Sequence, residues 1–416
     1  MTAHDSGEDG GGVPTALQPL LRPPVVSTGE DRSATPLELF FDLAYVLVVS
    51  ELAGTLLKDL SWHGTGRFAG MFTVLWLSWV GFTLYANRFD TDDVAFRGAK
   101  LLATLAVAGC AASASDATGD HALAFMGCYL LLRLVLVGLY VRAWVHVREE
   151  RPAIRVYLVA TTATATLWAV SMAVAPPGRY VLWALAAAAD VAGPVAATAL
   201  RRSLPLHMEH LPELFGLLVI LVLGEMVGAI VTGVHDEAWA ARPVVLGVVA
   251  FAVAGALWWS YFDVGADVSA RRLQRAEDED DEREADERHD LFVYGHLPLT
   301  LGIAVAAVGL EHLIVTPDET LPSAAGWLAC GGVALFFVGV VLVTGGAQRR
   351  WRGVLRWGGP AVVAVLALSA AGPSVTVLLA GLAVVCAAFA AAGLALTRRR
   401  EAPDELGGVR DQDVAG

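Results

Sequence analysis

Apolar residues fall in blocks of about twenty, separated by short polar stretches, which is the length a helix needs to cross a bilayer. The blocks cover residues 36–57, 67–87, 96–114, 121–141, 154–174, 179–200, 211–232, 243–264, 291–314, 325–345, 353–371 and 375–396. Backbone N–H and C=O groups cannot be left unpaired in lipid, so each block is expected to be a helix. The pattern predicts an all-α integral membrane protein with about twelve transmembrane helices. The third block and the last two are diluted by Ala and Gly and are the least apolar.

Composition agrees with the pattern: 56% of the 416 residues are hydrophobic, 17% are charged, and the mean hydropathy is +0.57. Soluble domains average roughly 45–50% apolar and about 25% charged. The net charge of −13 comes largely from tails and loops, notably 277–290, and no broad basic surface suggests a nucleic-acid partner. Of the 29 Lys and Arg residues, Arg133 lies inside a block and Lys58, Arg67, Arg179 and Arg242 follow odd-numbered blocks; the other 24 fall in the tails or in and beside loops after even-numbered blocks. The positive-inside rule then predicts that both termini are cytoplasmic, which requires an even number of spans. Cys110, Cys128, Cys330 and Cys386 stand alone in apolar runs, so neither zinc nor a disulfide framework is expected. Residues 1–34 lack the basic start and apolar core of a cleavable signal and are expected to be a disordered cytoplasmic tail, as are 401–416.

The chain also echoes itself. Pro36-Leu-Glu38-Leu-Phe, followed by Glu51-Leu-Ala-Gly54, resembles Pro212-Glu213-Leu-Phe, followed by Glu225-Met-Val-Gly228. Further on, Phe89-Asp90, Asp93 and Arg97 are echoed by Phe262-Asp263, Asp267 and Arg271, at an offset that stays between 173 and 176. Two six-helix repeats, 35–205 and 206–400, would be parallel and related by a pseudo-twofold axis along the membrane normal, with the acidic cytoplasmic loop 265–290 inserted in the second.

Ionisable groups inside spans cost roughly 2.5–3.5 kcal/mol each and usually face the bundle interior. Glu38 and Asp42 share one face of the first helix. Glu38 lies in the first turn, where capping and the helix dipole suit an anion. Glu51 lies deeper, about 20 Å along the axis from Glu38, and the proposed symmetry sets Glu225 at similar depth, facing it or in an equivalent pocket. That pair reads either as a proton or cation site or as two acids fixing helix packing. Arg133 needs a partner, with Asp42, Asp190 and Glu51 the candidates; a structural ion pair is the plainer reading and an anion site the sharper one. Arg88, Glu213, Asp263, Glu311, His312 and His296 complete the list of candidate ligand- or ion-binding residues, His296 being a pocket candidate beside Pro298. His207, His210 and Glu213 have helical ligand spacing, but Pro205 and Pro212 interrupt them and no metal is expected.

Asn87-Arg88-Phe89-Asp90-Thr91-Asp92-Asp93 closes the second span. Its three acids could bind a cation, hold Arg97 or present an acidic proton. Asp90-Thr91-Asp92-Asp93 has the D-x-D-D form of class II terpene cyclases, whose middle Asp, here Asp92, would protonate an alkene. No P-loop, G-x-G-x-x-G, H-E-x-x-H or G-x-S-x-G sequence occurs, so nucleotide-driven transport and the familiar hydrolases lack support, and no cofactor is expected.

Glu38-Leu-Phe-Phe-Asp42-Leu, Asn87-Arg88-Phe89-Asp90-Thr91-Asp92-Asp93, Gly224-Glu225 and His296-Leu-Pro298 with Gly309-Leu-Glu311-His312 together resemble the bacterial low temperature requirement protein A (LtrA) family, over about residues 34–396. The resemblance implies a multi-pass bacterial plasma-membrane protein and brings with it no reaction, substrate or catalytic residue. The expected function is a transporter-like or membrane-homeostasis protein whose buried carboxylates bind protons, cations or a small solute, with the lipid bilayer as its partner. The alternative is a membrane-embedded enzyme acting on a lipid or isoprenoid through Asp92, with Asp90 and Asp93 beside it.

Overall fold

The computed structural model describes residues 21–27, 35–90, 92–200, 204, 211–266, 282–346 and 351–410. Twelve helices follow one another: α1 (Pro36–Lys58), α2 (Trp62–Arg88), α3 (Val94–Ala114), α4 (Ala122–His146), α5 (Arg151–Ser171), α6 (Gly178–Ala199), α7 (Leu211–Asp236), α8 (Ala241–Trp259), α9 (Glu282–Val315), α10 (Ala324–Gly346), α11 (Trp351–Ala370) and α12 (Val375–Arg410). A π-helical stretch, Ser260–Ala266, continues α8. Eleven of these segments are long and apolar enough to cross a membrane; α11 contributes a shorter apolar stretch, Gly358–Ala370. The outer surface carries exposed side chains such as Phe40, Leu47, Leu105, Val248, Phe251 and Val384, as expected where lipid replaces water as the solvent.

The helix starts follow local rules. Pro36 sits at the first position of α1, where its missing N–H does no harm. Thr35 and Glu38 form a capping box: the Glu38 N–H donates to Thr35 Oγ1 at 3.3 Å and the Thr35 N–H donates to Glu38 Oε2 at 2.9 Å. Ser61 caps α2 and Asp93 caps α3.

Two segments differ from the sequence expectation. Residues 21–27, expected to be part of a disordered tail, are ordered, and Val25–Val26 (β1) pair antiparallel with Phe89–Asp90 (β2). The Ser27 N–H also donates to Arg88 O at 3.0 Å. Two β-branched residues supply the strand, and the backbone leaving α2 supplies unpaired partners. The acidic stretch expected to be loop through 290 is helical from Glu282; residues 267–281 lie outside the described residues.

Within the first six helices α1 touches α2 and α3, α2 touches α4 and α6, and α3–α4, α4–α5 and α5–α6 pack in sequence. Each pairing has a counterpart in the second six: α7 with α8 and α9, α8 with α12, its π continuation with α10, then α9–α10, α10–α11 and α11–α12. The two sets meet at α1–α7 and through α9, which touches α1, α2 and α6. The strongest pairing is α9–α10, where backbones touch: a Cβ added at Gly302 would lie 2.5 Å from Gly332 O, and one at Gly309 would fall on the backbone of Ala329. Small residues allow this close approach, a main source of helix association in lipid.

Candidate functional site

Burial separates the sequence candidates into groups. Phe41, Tyr45, Val48, Leu52 and Leu56 form the buried stripe of α1, at spacings of three and four. Glu51 stands one residue, about 100°, away from that stripe and is exposed. The expected Glu51–Glu225 pair facing across the axis is therefore absent. Glu225 is half-buried on α7 and within electrostatic reach of Glu311, together with Asp236. His312 Nε2 lies 3.3 Å from Glu319 Oε2. Glu213, in the first turn of α7, and Asp263, in the π stretch, are exposed. Among the described residues no cluster of three His, Cys, Asp or Glu could hold a metal ion; His207 and His210 lie outside them.

The D-x-D-D motif is drawn into structural bonds. Asp92 is exposed and accepts from Arg97 Nε and Nη2, both at 2.8 Å. Asp93 is buried; it accepts from the Phe96 N–H at 2.9 Å, from Arg142 Nη2 at 2.6 Å and from the Arg22 N–H at 3.0 Å. Burial opposes its charge, but those donors outweigh burial and hold the carboxyl below its ordinary pKa. Arg142 also donates to Arg22 O at 2.5 Å, so the ion pair between the start of α3 and α4 also fastens the N-terminal segment. The side chain of Asp90 lies outside the described residues, its backbone being in β2. Asp92 and Asp93 are thus each paired with an arginine, one at the surface and one buried.

Asp42 is buried and accepts from Trp79 Nε1 at 2.7 Å. Lys100, on α3, lies within electrostatic reach of it, with Nζ 3.9 Å from the Phe41 ring centre. Lys100 lies five residues into its block; the structure buries it, so that with Arg88 and Arg133 it is one of three Lys or Arg side chains buried among the described residues. His296 is also fully buried, with Nδ1 2.7 Å from Phe292 O and Nε2 2.9 Å from the Tyr261 hydroxyl. A carbonyl can only accept, so the Nδ1–H donates to it and the neutral ring accepts from Tyr261 through Nε2. Both ring nitrogens are satisfied, which makes His296 a packing residue between Phe215 and Phe292, each 4.6 Å away.

Arg133 resolves its three-way choice. It pairs with Asp190 on α6, while its Nε donates to the Tyr129 hydroxyl at 3.0 Å. The other Asp190 oxygen accepts from Thr164 at 3.1 Å, and the Tyr129 hydroxyl donates to Val74 O at 2.9 Å. Trp168 packs on Tyr129 at 4.1 Å. Every strong group here has a partner, as a buried ion pair requires.

Above that pair opens a pocket of about 470 Å³, counting the space open to the outside, lined by α2, α4, α5, α6 and Tyr294 of α9. Arg88, Arg133 and Asp190 are its charged residues, with Tyr140, Tyr157, Tyr294 and Thr161 in the polar wall. Arg88, the last residue of α2, is 3% exposed. Its guanidinium carbon lies 4.2 Å from the Tyr157 ring centre and it donates to the Tyr140 hydroxyl. Its Nε has no hydrogen-bond partner, and among the described residues no carboxylate pairs with it.

The family model "Bacterial low temperature requirement A protein (LtrA)" matches residues 33–396. The chain belongs to the LtrA family. "Uncharacterized protein RA0937" of Rhizobium meliloti (strain 1021) is 29% identical over 335 residues, covering 76% of this chain and 78% of that protein. No solved structure matches the chain. This LtrA-family protein therefore has a multi-pass membrane architecture.

Proposed function

We propose that this LtrA-family protein is a transporter-like protein of the bacterial plasma membrane, with its solute site in the Arg88–Arg133–Asp190 pocket. The observation that carries the reading is Arg88, a fully buried guanidinium with an unused donor in an open pocket. Intramembrane ionisable residues that line a cavity are where transporters hold their cargo. The carboxylate lining this pocket is Asp190, in place of Glu51 and Glu225. Both termini are cytoplasmic on this reading, by the distribution of Lys and Arg. The two sets of six helices are copies of one unit, a reading supported by their matching neighbour relations.

The test is uptake into proteoliposomes of purified protein, screened with labelled small organic acids, inorganic anions, amino acids and sugars. At least one solute should accumulate, and Asp190→Asn and Arg88→Gln, each shown to be folded, should lower its uptake more than tenfold. Uptake unchanged in both variants would sink the assignment, as would a complete screen without accumulation.

A further inference from the structure

Among the described residues, the charge in the pocket does not balance. Two guanidiniums, Arg88 and Arg133, face one carboxylate, Asp190, whose two oxygens are taken by Arg133 and Thr164. The other acid acting on this wall, Asp290, reaches Tyr294 and does not line the pocket. The remaining wall is hydroxyl and apolar: Tyr140, Tyr157, Tyr294, Leu84 and Pro194. We infer that the pocket binds a small oxyanion, a carboxylate or a phosphate group, with Arg88 as its principal ligand. This deepens the transporter reading and rests on its choice of site.

The chemistry fits Arg88 in particular. Its π contact with Tyr157 and its position at the C-terminus of α2, where carbonyls point outward, let a cation persist without a counter-ion. Neither uses the Nε–H. A guanidinium offers Nε–H and a neighbouring Nη–H side by side, the fork that matches two oxygens of a carboxylate or phosphate. Tyr140 takes part of that donor set and leaves the Nε–H unused. Arg133 contributes field and no direct bond, because Asp190 and Tyr129 hold it. A cationic solute would meet net repulsion, and a neutral one would leave the Arg88 charge unmatched.

The two sources of such a group are a free anion and the headgroup of an anionic lipid. The Arg88 end of α2 is also where the ordered N-terminal segment is fastened, so the pocket sits toward one end of the bundle rather than at mid-depth. Calorimetric titration of the whole protein in nanodiscs of zwitterionic lipid, with inorganic phosphate and then acetate at constant ionic strength, tests the inference. One of the two should bind saturably. Arg88→Lys, which keeps the charge but loses the fork, should weaken binding about tenfold, and Arg88→Gln should weaken it at least a hundredfold. Arg97→Gln, at an exposed pair, should leave it unchanged. Repeating the titration in nanodiscs rich in phosphatidylglycerol separates the sources: persistence of binding marks a free anion, and its loss marks a lipid phosphate. No saturable binding in zwitterionic discs, or equal binding by wild type and Arg88→Lys, overturns the proposal. Anion binding without uptake of any solute would remove the transport reading and leave the site; Arg88-dependent uptake of a cation or sugar would do the reverse.

Discussion

The two sets of six helices solve one packing problem in different ways. In the first, α4 meets α6 through the Arg133–Asp190 ion pair. In the second, α10 meets α12 through Phe337 and Phe389, stacked 4.0 Å apart at 22°. The pairing of third and fourth helix differs in the same direction. A Cβ at Gly109 of α3 would meet only the movable Cys128 side chain, whereas Gly302, Gly309 and Gly332 bring the backbones of α9 and α10 together. Lys100 and His296 complete the contrast. Each lies four residues after a Phe and four before a Thr, and each carbonyl accepts from that Thr hydroxyl at 2.8 Å. One is a buried cation, the other a neutral ring with both nitrogens occupied. Lipid tails are as apolar as Leu, so burying more hydrophobic surface adds little to helix association and close contact does most of the work. The second six exploit close contact fully and form the scaffold. The first six spend stability on charge and keep the pocket.

Removing one side of the ion pair should have the largest effect. Asp190→Leu leaves Arg133 buried and unpaired, and breaking a buried pair in this way costs about 3–5 kcal/mol. The double change Arg133→Met with Asp190→Leu imitates the second half and should recover most of that loss in an unfolding titration. A double variant as unstable as the single one would show that the first half cannot be packed like the second.

Next in size is Gly309→Val, which forces α9 and α10 apart. Overpacking typically costs about 1–3 kcal/mol, and here the obstacle is backbone that cannot rotate away. Gly109→Ala should cost less, because Cys128 can move. Thermal unfolding of the two in one detergent checks the ranking, and equal losses would erase the contrast. Phe389→Ala should follow: a void of roughly 100 Å³ at ~24 cal/mol per Å³ gives about 2 kcal/mol, with no change in anion binding at Arg88.

The spans were legible because twenty-residue apolar blocks have few readings, and Glu38 announced its capping role by its place two residues after Pro36. The site was only partly legible. Arg133 and Asp190 drew notice as charges in apolar runs, but their pairing across 57 residues needs tertiary structure. Glu51 misled because depth along a helix says nothing of its face; the stripe from Phe41 to Leu56 would have put it outside. Arg88 is among the candidates, but Lys100 is not, since sequence hydropathy cannot separate a side chain that reaches for water from one that folds inward. The shared Phe-x-x-x-(Lys/His)-x-x-x-Thr spacing was a readable signal for Lys100. The N-terminal pairing was not, because Val25–Val26 carries no mark of its partner.

That pairing gives the smallest predicted effect. It fastens a segment to the first half beside Arg88; Asp267, which echoes Asp93 in the sequence, lies outside the described residues. Asp93→Asn keeps an oxygen to cap α3 and loses the charge that holds Arg142, a change of roughly 1 kcal/mol. The pH dependence fixes its sign. The Asp93 carboxyl is held below its ordinary pKa in the folded protein, so its contribution is fully present above the unfolded value of about 3.9 and is lost as pH falls through the lower folded value. Wild type should therefore exceed Asp93→Asn in stability by a constant margin from neutral pH down to about 5, and the margin should close as acid titrates the carboxylate. The same acid step should release residues 21–27, read as new proteolytic cleavage there in wild type and as cleavage at all pH values in Asp93→Asn. A margin that ignores pH would mean that the bond to Arg142 does not depend on charge, and the N-terminal segment would then be held by its two-residue ladder alone.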